Sequence, residues 1–296
     1  MGVSVLIVAL TVVAFGTSAP EIVVSGMAAW QGKVELSMGN VLGSNVANVG
    51  LVLGTSALIL PRVLEAKIER RDMFWMFASL ALLWWLSADG CISRVEAIVL
   101  LAVFAGYNLN LFIDARTQSA GLEAEVQEAA GDGERRWPVL WVLLGIAGIS
   151  YGAYLVLEGA SAGAERLGMP QSVVGLTVVA IGTSLPELAA GVGGALKGES
   201  DISVGNVLGS NVFNLLGVVG IVGVIQPLDP SDARIPEPDA LRRAFDFALS
   251  EDFYVVAGFS LAALVLTRVG GGGRLKGALL LLSYVAYSAW LVVSRA

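Results

Sequence analysis

Two glutamates stand at the end of the same six-residue phrase. Glu21 closes Gly16-Thr17-Ser18-Ala19-Pro20-Glu21, and Glu187 closes Gly182-Thr183-Ser184-Leu185-Pro186-Glu187, 166 positions later. Each phrase lies within an apolar run long enough to cross a bilayer. A carboxylate at that depth costs a few kcal/mol to insert, so its presence points to function. Two of them at equivalent places suggest one divided site. The oxygens such a site offers suit hard cations: Ca²⁺, Na⁺ or Mg²⁺.

A second phrase is also duplicated. Ser37-Met38-Gly39-Asn40-Val41-Leu42-Gly43-Ser44-Asn45-Val46-Ala47-Asn48 returns from Ser203 to Asn214 with two changes, at the positions of Met38 and Ala47. Gly39 and Gly43 form a small-xxx-small face that lets helices approach closely. Ser44 and Asn48, four apart, share a helical face. Residues 1–54 align without a gap on residues 167–220, and about half the positions are identical, so the chain is built on an internal repeat.

The elements that must hold these residues are transmembrane helices. The chain has 296 residues, of which 56% are hydrophobic and 15% charged, against about 25% charged in a soluble domain. Apolar runs of about 20 residues recur along its length. The net charge of −7 arises largely in polar connectors, and no basic face for nucleic acid is present. With one cysteine, Cys91, and no histidine, a disulfide, a thiolate metal cluster and a Ser-His-Asp triad are all excluded. Ser18 and Ser184 have no evident activating base, so the chain is not expected to be an enzyme.

Pro20 and Pro186 each remove a backbone donor and disfavour helix just before them. Both motif helices should therefore break near the bilayer centre, where freed carbonyls can meet cations. Plain spans are expected at 73–88, 95–112 and 137–158, then 253–267 and 275–293 after the second repeat. A short surface helix is expected near 240–249, and an acidic, irregular connector at 114–136. The division is thus 1–113 for the first repeat, 114–136 for the linker and 137–296 for the second repeat. Five spans separate the start of the first motif helix from its copy, so the copies enter the membrane in opposite directions. Nothing precedes the first motif helix, whereas a full span precedes the second. Nine spans are seen where ten are expected, as if the first helix of repeat one were lost to a misassigned start.

Eleven Lys and Arg residues collect on the Met1 side of the membrane and seven on the other. The Met1 side and the 114–136 loop are therefore expected in the cytoplasm of a cell with the protein in its inner membrane, and the C-terminus outside.

The paired GTS-x-PE and GN-x-x-GSN-x-x-N phrases resemble the two α-repeats of the cation/Ca²⁺ exchanger superfamily, most closely its prokaryotic sodium/calcium exchangers. The resemblance implies an all-α polytopic fold of two inverted five-helix repeats. It also implies antiport of Ca²⁺ against Na⁺ by alternating access, with no cofactor and a monomer as the expected unit. By motif, Glu21 and Glu187 would bind the ions alternately, with the Thr17 and Thr183 carbonyls completing the calcium site. Ser18, Ser44, Ser184 and Ser210 would offer sodium-site hydroxyls, Ala14 and Ala180 would offer carbonyls, and Asn48 and Asn214 would line the centre. Some relatives carry aspartate at the position of Asn214; two carboxylates remain here. A Ca²⁺/H⁺ antiporter using the same glutamates, a carrier of another divalent cation and a cation channel stay open as alternatives.

Overall fold

The computed structural model describes residues 14–65, 68, 70–129, 168–198, 200–235 and 237–295, with scattered positions between 140 and 166. The span expected at 137–158 and the first half of the first motif helix lie mostly outside these residues. We number the helices in chain order: α1 Ala14–Thr17, α2 Ala19–Trp30, α3 Val34–Ile59, α4 Arg70–Leu86 and α5 Arg94–Ala129. The second half supplies α6 Gln171–Thr183, α7 Leu185–Lys197, α8 Ser203–Ile225, α9 Pro238–Arg268 and α10 Gly273–Arg295. Among the described residues there is no β-sheet, only an isolated antiparallel bridge between Ile92 and Leu228. Helices α3, α8, α9 and α10, and α5 as far as Ile113, are each long and apolar enough to span a bilayer, and the bent pair α6–α7 makes a sixth candidate.

The two helices that carry the Gly-Asn-x-x-Gly-Ser-Asn phrase form the centre. In α3, every residue from Leu36 to Gly50 is buried, the polar Ser37, Asn40, Ser44, Asn45 and Asn48 included. Its glycines set the packing distance. A Cβ on Gly39 would stand 2.7 Å from the Ser172 carbonyl oxygen, one on Gly43 2.6 Å from that of Leu176, and one on Gly175 2.5 Å from that of Leu36. Helices α3 and α6 therefore touch backbone to backbone. Both α3 and α8 widen into a π-helical segment at the end of the phrase, at Asn48–Leu53 and Phe213–Val218. Such segments are rare and gather at functional sites.

The last helix of each repeat braces the other repeat. On α10, Gly277 meets α3 at Gly54 and Ala57, while Tyr284 packs on Gly50. On α5, Phe104, Leu101 and Ala97 meet Gly217, Gly220 and Gly223 of α8. Gly54 and Gly220 are equivalent positions of the repeat, so the exchange of bracing helices is reciprocal.

Helix ends follow local chemistry. Ser93 and Glu96 form a capping box at the start of α5: Glu96 Oε2 accepts from the Ser93 backbone N–H at 2.7 Å and the Ser93 hydroxyl at 2.8 Å. At the C-terminus of α9 the buried Lys276 donates to the carbonyls of Leu266 and Val269, opposing the negative end of the helix dipole. The surface helix expected near 240–249 is the first part of α9, Pro238–Phe247. It buries Ala240, Leu241, Ala244 and Phe245 and exposes Arg242, Arg243 and Asp246. The connector differs from expectation, because α5 continues as helix to Ala129. Its run of Ala, Glu, Leu and Gln has high intrinsic helix propensity, which outweighs the repulsion among its carboxylates.

The α3–α6 contact yields a direct test. Gly43→Ala should cost about 1–3 kcal/mol, because the added methyl meets backbone that cannot retreat. Gly106→Ala on the open face of α5, where a Cβ meets nothing within 4 Å, should change stability by no more than about 0.5 kcal/mol. Thermal melts of the two variants in detergent measure the contrast.

Candidate functional site

Each Thr-Ser-x-Pro-Glu phrase is a helix break with a fresh helix start behind it. Ser18 and Ser184 leave helical geometry with nearly the same angles, φ −88° and ψ 6° against φ −81° and ψ 4°. In the second repeat the axis turns by 43°. Pro20 and Pro186 occupy the first turns of α2 and α7, where a missing N–H costs nothing. Glu21 and Glu187 then fall in the same first turns. A helix N-terminus carries a partial positive charge that favours a carboxylate there. Neither serine hydroxyl caps its own helix, so both are free for other partners.

The structure brings the two repeats together at these breaks. Ser18 Oγ lies 3.1 Å from Glu187 Oε1, and Ser210 Oγ lies 3.4 Å from the same oxygen. Glu21 and Glu187 are close enough to repel one another electrostatically. Both are fully buried, as are Ser18, Ser44, Thr183, Ser184, Asn48 and Asn214; Ser210 is almost so. Thr17 is half-buried beside the Glu187 carboxylate.

Around this point lies a set of buried oxygens with no hydrogen-bond partner: both of Glu21, Oε2 of Glu187, Oγ of Ser184, and Oδ1 of Asn48 and of Asn214. Buried polar atoms are nearly always paired, and an orphan calls for an explanation. Six orphaned oxygens on five positions of two repeated motifs, three of them carboxylate oxygens, form a candidate cation site. Among the described residues no group of three or more Asp, Glu, Cys or His could hold a metal. A cation bound here would draw its remaining ligands from amides, hydroxyls and carbonyls.

Two of the expected ligands stand differently. The Ala180 carbonyl already accepts the Ser184 N–H at 3.0 Å and faces Thr183 Oγ1 at 3.4 Å, so its remaining lone pair is what it has to offer. Ala14 lies in the helical turn of α1, and its surroundings fall outside the described residues. The Thr17 and Thr183 carbonyls sit in the last turn before each break.

Other polar residues of the duplicated phrase also join the centre, and reading the phrase for ion ligands passes over them. Asn48 Nδ2 donates to Asn211 Oδ1 at 3.1 Å, and Asn211 Nδ2 reaches the Asn45 carbonyl at 3.4 Å. Asn40 bonds Ser25 at 2.9 Å and Thr183 at 3.0 Å. Their identity across both copies was the available signal.

Beyond Glu21 on α2, Val24 and Ala28 pack with Leu36 of α3 and Val174 and Val179 of α6 in one apolar cluster.

Comparison with known proteins agrees with this architecture. The family model described as sodium/calcium exchanger protein matches residues 1–113 and 137–293. CaxA of Alkalimonas amylolytica is 35% identical over 99% of this chain and 90% of its own length. The sodium/calcium exchanger MaX1 of Methanosarcina acetivorans is 30% identical over 73% of this chain and 72% of its own. The solved structure of the sodium/calcium exchanger from Methanococcus jannaschii superposes with a TM-score of 0.63 at 26% identity, covering 98% of this chain and 87% of that one. Matched along nearly its whole length, this chain belongs to the sodium/calcium exchanger protein family.

Proposed function

We propose that the protein is a secondary antiporter that moves Ca²⁺ out of the cell in exchange for Na⁺, both ions using the divided site around Glu21 and Glu187. The observation that carries this reading is the set of orphaned oxygens on Glu21, Glu187, Ser184, Asn48 and Asn214. Two carboxylates balance the charge of one Ca²⁺, and the neutral oxygens supply the rest of a shell of six to eight. The same carboxylates with Ser18, Ser44, Ser184 and Ser210 can instead hold monovalent ions. Because the ligand sets overlap, one load excludes the other. In this reading the Thr17 and Thr183 carbonyls serve calcium, and those of Ala14 and Ala180 serve sodium. The two repeats, 1–113 and 137–296, are the two halves of the alternating machine, and 114–136 links them.

The test is ⁴⁵Ca²⁺ uptake into proteoliposomes loaded with Na⁺ and diluted into Na⁺-free buffer, with a pH gradient in parallel. Na⁺-driven uptake is expected for the native chain and at least a hundredfold loss, on the order of the effect of removing a buried charge (about 3 kcal/mol), in Glu187→Gln and in Glu21→Gln. Uptake driven only by the pH gradient would replace Na⁺ with H⁺ as the counter-ion. Ca²⁺-linked current that persists without any gradient exchange would make the site a channel.

Sidedness has its own probe in Cys91, the single cysteine, between α4 and α5 at the end opposite Pro61. The proposed orientation places it outside the cell. Burial, then the neighbouring Asp89, pushes its thiol up to about 12. The thiolate is therefore scarce at neutral pH, and labelling by an impermeant maleimide on intact cells should be slow. Its rate should rise about tenfold per pH unit from pH 7 to 9 without a plateau, since only the thiolate reacts. Labelling only after the membrane is opened would reverse the orientation.

A further inference from the structure

Resting on the exchange reading above, we infer that Asn40, anchored by Ser25, is a positioning residue that commits the Ser44 hydroxyl proton away from the ion site and so sets the affinity for Na⁺. Neither residue belongs to the ligand set described so far, and both are fully buried.

The bonding of Asn40 accounts for every proton near it. Its Nδ2 donates to Ser25 Oγ at 2.9 Å. Its Oδ1 accepts from Thr183 Oγ1 at 3.0 Å and faces Ser44 Oγ at 3.4 Å. The two hydroxyls lie 3.1 Å apart. Each carries one proton, and Asn40 Oδ1 offers two lone pairs. If Thr183 gives its proton to Asn40, or to the Ala180 carbonyl at 3.4 Å, that of Ser44 goes to Thr183 or to Asn40. If Thr183 gives its proton to Ser44, that of Ser44 goes to Asn40. In every arrangement the Ser44 proton stays within the trio, and its oxygen keeps a lone pair for a cation. A hydroxyl binds a cation only through its lone pairs, so this orientation is paid in advance.

The second repeat supplies an internal comparison. The equivalents of Asn40, Ser44 and Thr183 are Asn206, Ser210 and Thr17, all identical, but the equivalent of Ser25 is Gly191. There is no hydroxyl to anchor the amide, and Asn206 Nδ2 has no hydrogen-bond partner. Ser210 faces the carboxylate, with its Oγ donating to Glu187 Oε1 at 3.4 Å. Where the anchor exists, the serine proton is held by the amide and by threonine. Where it is absent, the proton is spent on Glu187 Oε1, itself a candidate ion ligand, and competes with a cation for that oxygen. Within one protein, the anchor and the direction of the proton change together. The half containing Ser44 is thus pre-organised for a monovalent ion. A Ca²⁺ load, which depends chiefly on the carboxylates, is affected little.

The experiment measures thermal stabilisation of the purified full chain by Na⁺ and, separately, by Ca²⁺, with Na⁺-driven ⁴⁵Ca²⁺ uptake alongside. The variants are Ser25→Gly, which reproduces the second repeat, Ser25→Thr, which restores the hydroxyl, and Asn40→Leu. Ser25→Gly and Asn40→Leu should raise the Na⁺ concentration for half-maximal effect about 3- to 10-fold, the worth of one oriented hydrogen bond. The Ca²⁺ concentration should change less than about twofold, and Ser25→Thr should return both to native values. Should Asn40→Leu not fold, Ser25→Gly carries the test. Unchanged Na⁺ dependence in Ser25→Gly, or an equal shift for both ions, would overturn the inference while leaving exchange intact. A native chain stabilised by neither ion would overturn the exchange reading and this one with it.

Discussion

Two buried carboxylates must be held close together within a bundle of apolar helices with no Lys or Arg beside them among the described residues. Coulomb repulsion at short range and the loss of hydration both oppose this arrangement. What offsets them is built from backbone and neutral side chains. Two helices are broken so that their N-termini begin at Glu21 and Glu187. The Ser18 hydroxyl, spared from capping duty, faces the Glu187 carboxylate together with Ser210. The supporting helices are pressed to backbone contact at glycines, which leaves little room for water where ion ligands must converge. The bulk of the described fold exists to make that centre rigid and dry while keeping it short of counter-charge.

The repeat makes the scaffold symmetric but not its contents. Gly54 and Gly220 perform the same packing role against exchanged helices, and the breaks at Ser18 and Ser184 agree within a few degrees. The hydrogen bonds do not agree. Glu187 collects the hydroxyls of Ser18 and Ser210, whereas both oxygens of Glu21 are unpartnered and the hydroxyls of Ser44 and Thr183 turn to Asn40. Identical side chains in unequal surroundings are what one conformation of an inverted-repeat protein requires. In the proposed alternating access, the two halves exchange environments as access moves from one side to the other. The unequal anchor at Ser25 and Gly191 is different, because no movement can exchange a difference in sequence.

Much of this was legible before any coordinates. The prolines marked the breaks, the duplicated glutamates marked the centre, and the surface helix expected near 240–249 forms at 238–247. Features with only local causes were misread where two local forces compete: residues 114–129 have the charge of a connector and the helix propensity of Ala and Glu, and propensity prevails. Features with distant causes were not legible. Asn40 meets Thr183 across 143 positions, and Asn48 meets Asn211 across 163. Nothing in either neighbourhood says which amide will coordinate and which will orient. The π segments at Asn48 and Phe213 have no composition of their own; they pack against α10 and α5 respectively.

In the proposed exchange, the same unpaired oxygens explain why transport should be coupled rather than a leak. A loaded site is close to neutral, so a conformation that seals it at both ends buries little net charge. An empty site seals two carboxylates with three further oxygens unsatisfied, and each unsatisfied group costs roughly 1–3 kcal/mol, more for a charged one. That cost falls only on the empty carrier and raises the barrier to its crossing. Coupling then needs no separate gate that senses the load. It follows from placing enough acceptors at the centre of the membrane and giving them no donors, so that the ion itself is the missing piece of the closed structure.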